Sequence, residues 1–95
     1  MLLFVYGSLR SNMDEHHKLK DAQFLGAAHT APNYQLVRTS TNYWAITNGE
    51  EAVVGELYEV TPELLQQLDA WEGAEYQRAP IRLHDGRLAL AYTQK

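Results

Sequence analysis

Between Thr61 and Gly73 the sequence carries a helix with both of its ends marked, and the rest of the chain has to be arranged around it. Thr61 suits the N-cap, Pro62 the first helical position and Glu63 the first turn, while Gly73 is a stop signal. At about 100° per residue, Leu64, Leu65, Leu68 and Trp71 make one apolar stripe that turns toward the interior. Glu72 falls about 50° from the centre of that stripe, whereas Glu63 and Asp69 point well away. Burial disfavours the charged form of a carboxylate, and the partial negative charge at a helix C-terminus acts in the same direction, so the proton affinity of Glu72 should rise. Two readings stay open at this point. Glu72 is a general base or acid near neutral pH, or it bends out to solvent at the helix end or pairs with nearby Arg78.

The remaining elements are mostly strands. Leu2-Leu3-Phe4-Val5-Tyr6 is a continuous apolar run closed by Gly7, which reads as a central strand buried on both faces. Ser11 and Asp14 have the spacing of a capping box, which predicts a short helix over 12–19. From Ala22 to Ile46 the pattern is irregular, with short strands expected around Phe24-Leu25-Gly26 and Tyr34-Gln35-Leu36-Val37, and turns at Pro32-Asn33 and Asn48-Gly49. Ala52 to Val60 is a clear strand. It sets Val54, Tyr58 and Val60 on one face and Val53, Gly55 and Leu57 on the other, with Gly55 marking a bulge or a close backbone approach. Asp85-Gly86, between the runs 81–84 and 87–92, predicts a hairpin with a type I′ turn, with Leu88, Leu90 and Tyr92 sharing a face. Several strands with one good helix inserted late form an α+β pattern, not a βαβ alternation.

Ninety-five residues suggest a single domain over 1–95, and the 45% apolar content with ten aromatic residues indicates a globular chain. The formal charge of −4, with no Lys/Arg cluster, argues against nucleic acid and against a membrane surface as partners. There is no cysteine, which removes disulfides, thiolate nucleophiles and Cys-ligated metals. Met1 to Tyr6 lacks a basic n-region and is too short for a signal sequence, so the expected location is cytoplasmic.

The loop Tyr6-Gly7-Ser8-Leu9-Arg10 follows the first strand, where free backbone N–H groups gather to hold an anion. Gly7 lets the chain turn sharply and admits a ligand close to the backbone. A phosphate cradle is not indicated, since there is no G-x-G-x-x-G and no Lys-Ser/Thr pair, but a small carboxylate needs only two or three amides. The plain alternative is an ordinary strand-to-loop turn. Ser8 does not sit in a G-x-S-x-G elbow and is read as a ligand-orienting hydroxyl, not a nucleophile. Adjacent His16 and His17 point about 100° apart on a helix, and with His29 and His84 unplaced no metal or cofactor is expected; the histidines read as surface or core residues. Tyr76 and Arg78 fall on one side of a following strand, where either can meet a ligand or Glu72, or simply pack as a core tyrosine with a snorkelling arginine. Glu56 and Glu75 are rival carboxylates in surroundings that favour ordinary solvation.

Tyr6-Gly7-Ser8-Leu9 after an N-terminal strand, Gly55-Glu56-Leu57-Tyr58 in the middle, and Leu68-Asp69-x-x-Glu72-Gly73 followed by Tyr76-x-Arg78 resemble the γ-glutamylcyclotransferase-like proteins. The resemblance spans most of the chain. It implies a small mixed β-barrel with flanking helices and a pocket between the first loop and the later helix. It puts Glu72 in the catalytic acid/base position, with Tyr6, Gly7, Ser8 and Leu9 as the substrate-binding loop. Together with Tyr76 these form the expected site for a small γ-glutamyl substrate, cyclised to 5-oxoproline with release of an amine. Many relatives have Gly and Asn where this chain has Asn12 and Glu15, and many continue through a segment that helps close the site, so the resemblance implies a more open pocket here. A non-catalytic small-molecule binding or interaction module on the same scaffold is the alternative, and a subunit needing a partner to complete the pocket is a third.

Overall fold

The computed structural model describes residues 1–7, 9–11, 13 and 15–95. Ser8 of the expected binding loop, Asn12, and Asp14 of the expected capping box lie outside the described residues. The strands are β1 (Leu2–Val5), β2 (Gln23–His29), β3 (Tyr34–Arg38), β4 (Trp44–Asn48), β5 (Val54–Glu59), β6 (Tyr76–Arg82) and β7 (Leu88–Gln94), with one α-helix, α1 (Pro62–Glu72), between β5 and β6. In place of the helix expected over 12–19 there is a 3₁₀ turn at His16–Leu19, and Glu15 at its N-cap makes no side-chain capping bond. Only Leu19 of that turn is buried, so little apolar area supports a longer helix.

β1 is central, as its apolar run predicts. It pairs antiparallel with β5, Leu2 opposite Glu59 through Val5 opposite Glu56, and parallel with β7, Leu3 opposite Leu90. Its alternating side chains serve two cores. Leu3 and Val5 join Tyr58, Tyr92 and the helix residues Leu64, Leu65 and Leu68, while Phe4 joins Ile46, Leu57, Ile81 and Leu83 on the other face. β5 divides in the same way, with Tyr58 in the first cluster and Leu57 in the second.

The sheet runs β2-β5-β1-β7-β4-β3, with β6 also on β7. β6 covers one edge of β7 from Tyr76 opposite Gln94 to Arg82 opposite Leu88. The other edge is shared, because β1 meets β7 at Leu90 and β4 meets it at Thr93. The sheet therefore forks where β1 ends. Tyr6, the next residue, fills the fork: its buried hydroxyl accepts a hydrogen bond from the Ile46 amide at 3.0 Å and donates one to the Tyr92 carbonyl. Tyr6→Phe keeps the ring and leaves a buried N–H and a buried C=O unpaired. It is expected to cost about 2 kcal/mol or more, read as a lower urea midpoint. A midpoint equal to wild type would show that the two groups find other partners.

The strand pairing gives the mixed sheet but does not confirm the barrel expected from the resemblance. The end of β2 and the end of β6 meet at the isolated bridge between Thr30 and Leu83, with Ala31 N–H bonded to the Arg82 carbonyl, His84 N–H to the His29 carbonyl, and the His29 and His84 rings stacked. No continuous ladder joins them, so the mixed sheet curls but stays open. Pro32 follows closely and cannot donate to a ladder. A second correction concerns the β6–β7 turn. Among the described non-glycine residues only Asn42 has positive φ, so Asp85 does not adopt the conformation a type I′ turn requires. The Gly86 amide bonds to the Leu83 carbonyl at 3.0 Å and Gly86 alone, at φ 91°, takes the left-handed position.

α1 has the ends its sequence predicts. The Thr61 hydroxyl accepts from the Leu64 amide, Pro62 opens the helix, and Gly73 closes it at φ 82°. Trp71 departs from the expected stripe. It is 38% exposed, with the Lys18 ammonium 4.7 Å from its ring centroid. Asp69 does lie on the surface, yet it accepts a 2.7 Å bond from the Tyr92 hydroxyl and pairs with Arg78 at 3.3 Å. Arg78 is thereby bound to Asp69 and not to Glu72.

Candidate active site

The loop after β1 is anchored from two sides. Its Gly7 carbonyl accepts from the Arg10 amide at 3.1 Å and from Arg10 Nε at 3.2 Å, and the buried Leu9 side chain holds it to the core beneath α1. Further along, the Ser11 amide donates to Glu56 Oε1 at 2.7 Å, and the same oxygen accepts from the Tyr58 hydroxyl. Glu56 is thus a half-buried loop anchor, not the solvated carboxylate its sequence surroundings imply; the Ser11 amide that it holds arrives from 45 residues away. Glu75, the other rival, accepts from the Ser40 hydroxyl and so ties the β3–β4 connection to the start of β6.

Gly7 is not required by the backbone. It is absent from the positive-φ residues, and a Cβ built on it would meet nothing within 4 Å. The chain does bend at Gly7, with the Arg10 amide closing on its carbonyl, but not through a conformation that demands glycine. What remains is open space in front of the backbone, which suits close approach by a ligand. Among the described residues neither the Gly7 nor the Leu9 amide has a backbone hydrogen-bond partner.

That space belongs to a cavity of ≈ 460 Å³, within the range of small-molecule sites. Gly7, Leu9 and Arg10 line it from the first loop, and Trp71 and Glu72 from the end of α1. Tyr76 adds a wall from β6, and the β3–β4 hairpin adds another with Arg38, Tyr43 and Trp44. Of the residues expected at the site, Tyr6, Gly7, Leu9, Glu72 and Tyr76 are brought to this one cavity. Two of them also have structural duties. The Tyr6 hydroxyl is held in the sheet fork, and the Tyr76 hydroxyl donates to the Trp44 carbonyl at 2.9 Å, fastening the hairpin.

Glu72 is half-buried, and burial raises its pKa from 4.5 to about 7. The carboxyl end of the helix acts in the same sense. No cation offsets either effect among the described residues. Its charge in turn raises the pKa of the Tyr76 phenol, which burial already pushes up. A carboxyl group poised near neutrality can both take and return a proton. Among the described residues no group of three His, Asp or Glu side chains is placed to hold a metal, and no helix is long and apolar enough to cross a membrane.

The hairpin wall was not foreseen in the sequence. β4 was hidden within the irregular stretch from Ala22 onward, because the loop joining it to β3 has no glycine. The signal that could have found it is Asn42, which stands at φ 68° where a hairpin loop usually places glycine.

The class of protein is given by the fold. An AIG2-like protein from Mus musculus superposes with a TM-score of 0.84 at 28% identity, over 98% of this chain and 76% of that one. Sequence comparison narrows the class. The family described as gamma-glutamyl cyclotransferase, AIG2-like, matches residues 3–95. A gamma-glutamylcyclotransferase family protein of Escherichia coli is 38% identical over 84 residues, covering 86% of this chain and 73% of its own. Gamma-glutamylaminecyclotransferase C of Danio rerio is 36% identical over 92 residues, covering 85% of this chain and 60% of its own. The chain belongs to the γ-glutamyl cyclotransferase, AIG2-like family.

Proposed function

We propose that the protein converts a γ-glutamyl amide to 5-oxoproline and a free amine, with Glu72 as general base and then general acid. The observation that carries this reading is a desolvated carboxylate in the same cavity as the first-loop Gly7 and Leu9, where among the described residues Glu72 has no cation beside it and neither amide has a backbone partner. The α-amino nitrogen of the substrate attacks its own γ-carbonyl carbon, closing a five-membered ring. The C–N bond to the leaving amine then breaks. One proton leaves the attacking nitrogen and one must reach the departing nitrogen, so a single carboxylate can carry it between them. No protein nucleophile and no water are consumed. The Gly7 and Leu9 amides hold substrate oxygens, so that the chain is folded toward the ring before reaction. Tyr6 and Tyr76 shape the cavity and keep its two walls in place.

The test is incubation with a panel of γ-glutamyl amino acids and amines, followed by assay for 5-oxoproline. Because the base must be ionised, kcat/KM should fall about tenfold per pH unit below pH 7, following the Glu72 value of about 7. Ligand binding without product would favour the non-catalytic binding module. A pH profile flat from 5 to 8 would remove Glu72 from the role of base.

A further inference from the structure

Acid/base chemistry at Glu72 leaves one wall of the cavity without a use. Arg38, the last residue of β3, stands opposite Trp44, the first of β4. The loop between them closes with Asn42 N–H bonded to the Thr39 carbonyl and Thr39 N–H to the Tyr43 carbonyl, and Asn42 takes the left-handed conformation at φ 68°. This aims two oxygens at Arg38. Its Nη1 donates to the Asn42 carbonyl at 2.8 Å and to Asn42 Oδ1 at 3.3 Å, while the guanidinium carbon lies 4.1 Å from the Trp44 ring centroid. Nη1 is thereby engaged. Among the described residues no hydrogen bond or carboxylate engages Nε or Nη2. The free edge presents two parallel N–H donors, the geometry that holds a carboxylate through two bonds.

We propose that Arg38 binds the carboxylate of the leaving group, so that the preferred substrates are γ-glutamyl α-amino acids and not γ-glutamyl alkylamines. This rests on the cyclotransferase reading of the pocket. Charge supports the choice. A γ-glutamyl amino acid carries two carboxylates and one ammonium, and the cavity wall offers two guanidiniums without an acid partner among the described residues, Arg10 and Arg38, and one unpaired carboxylate, Glu72. Glu15, the other acid on the wall, is paired with Lys18 at 3.6 Å. Arg10 is held beside Gly7 by its bond to the Gly7 carbonyl, which places it for the α-carboxylate of the glutamyl end. Arg38 stands on the hairpin wall, where it can meet the other end. Stacking on Trp44 and the double bond to Asn42 fix the fork before a ligand arrives, so less side-chain freedom is lost on binding.

Two nearly isosteric probes test this, γ-glutamylalanine and γ-glutamylalaninamide, which differ in the charge of the leaving group. Wild type should favour the acid over the amide in kcat/KM, and Arg38→Gln should reduce that ratio about 10- to 100-fold. Arg38→Lys, which keeps the charge but loses the fork and the stack, should fall between. Arg38→Glu should invert the preference toward a cationic leaving group, as in γ-glutamylputrescine. A ratio unchanged by Arg38→Gln overturns the proposal. If neither probe yields 5-oxoproline, the cyclotransferase reading fails by itself, and calorimetric titration of the same pair still decides the point. An affinity preference for the acid that Arg38→Gln removes supports it, whereas equal affinities, or binding of neither probe, overturn it.

Discussion

Glu72→Gln is expected to lower 5-oxoproline release by about 10²–10⁴-fold and, at pH 8, to make the protein more stable than wild type. The two effects share one cause. Glutamine is nearly isosteric with glutamate but cannot accept the proton, so binding survives while proton transfer is lost. Burial raises the Glu72 pKa from 4.5 to about 7, so the folded protein holds this proton more tightly than the unfolded chain does. The group therefore contributes stability fully below about pH 4.5, loses it as pH rises to about 7, and above that the buried charge opposes folding. Glutamine carries no such charge. Because the carboxylate still touches solvent, the gain at pH 8 should be about 1 kcal/mol or less, a rise in Tm of a few degrees for a domain this size. At pH 5 the two proteins should differ much less. Thermal melts at both pH values, run beside the product assay, check both halves. Equal turnover by the two proteins would end the assignment of Glu72, and equal melts at pH 8 would show that its carboxylate is hydrated in solution.

What could be read in the sequence was what depends on near neighbours. α1 was legible at both ends because Thr61, Pro62 and Gly73 act locally, and helical periodicity identified Leu64, Leu65 and Leu68 as its buried face while misplacing Trp71. The double burial of β1 was legible because an unbroken apolar run has no polar face to leave in water. What escaped depends on partners distant in the chain. Whether Arg78 meets Glu72 or Asp69 is decided by how α1 lies on β6, and it meets Asp69. Glu56 reads as a solvated strand residue until the loop after β1 folds back and delivers the Ser11 amide to it. The hairpin that supplies Arg38 and Trp44 to the cavity was the largest omission. Its strands are short, β3 has no buried residue and the two buried residues of β4 are adjacent, so alternation gives little contrast, and a left-handed asparagine is harder to recognise than a glycine.

Gly55 was legible as a glycine with a structural reason, and the packing of β1 on β5 decides between a bulge and a close approach. A Cβ at Gly55 would lie 2.2 Å from the Val5 carbonyl oxygen and 2.7 Å from Phe4 Cζ. The register shift falls on β2, between Phe24 and Gly26, so Gly55 serves close approach and not a bulge. The Val5 oxygen is main chain and cannot swing aside without moving β1 off β5, and the Phe4 ring is held in the second core cluster. Gly55→Ala is therefore expected to cost about 3 kcal/mol or more, out of roughly 5–14 kcal/mol for a domain of this length, read as a large fall in urea midpoint. Adding Phe4→Leu separates the two contacts. The smaller side chain relieves the ring but not the carbonyl, so the double variant should recover little of the loss. Full recovery would assign the clash to the ring, and a Gly55→Ala midpoint equal to wild type would mean that β1 and β5 can separate at little cost. The consequence for activity follows from chain order: Val5 leads directly through Tyr6 to Gly7. A displaced β1 would pull the Tyr6 hydroxyl from the sheet fork and move the loop amides away from Glu72, so whatever Gly55→Ala protein still folds should turn over γ-glutamyl substrates with a raised KM.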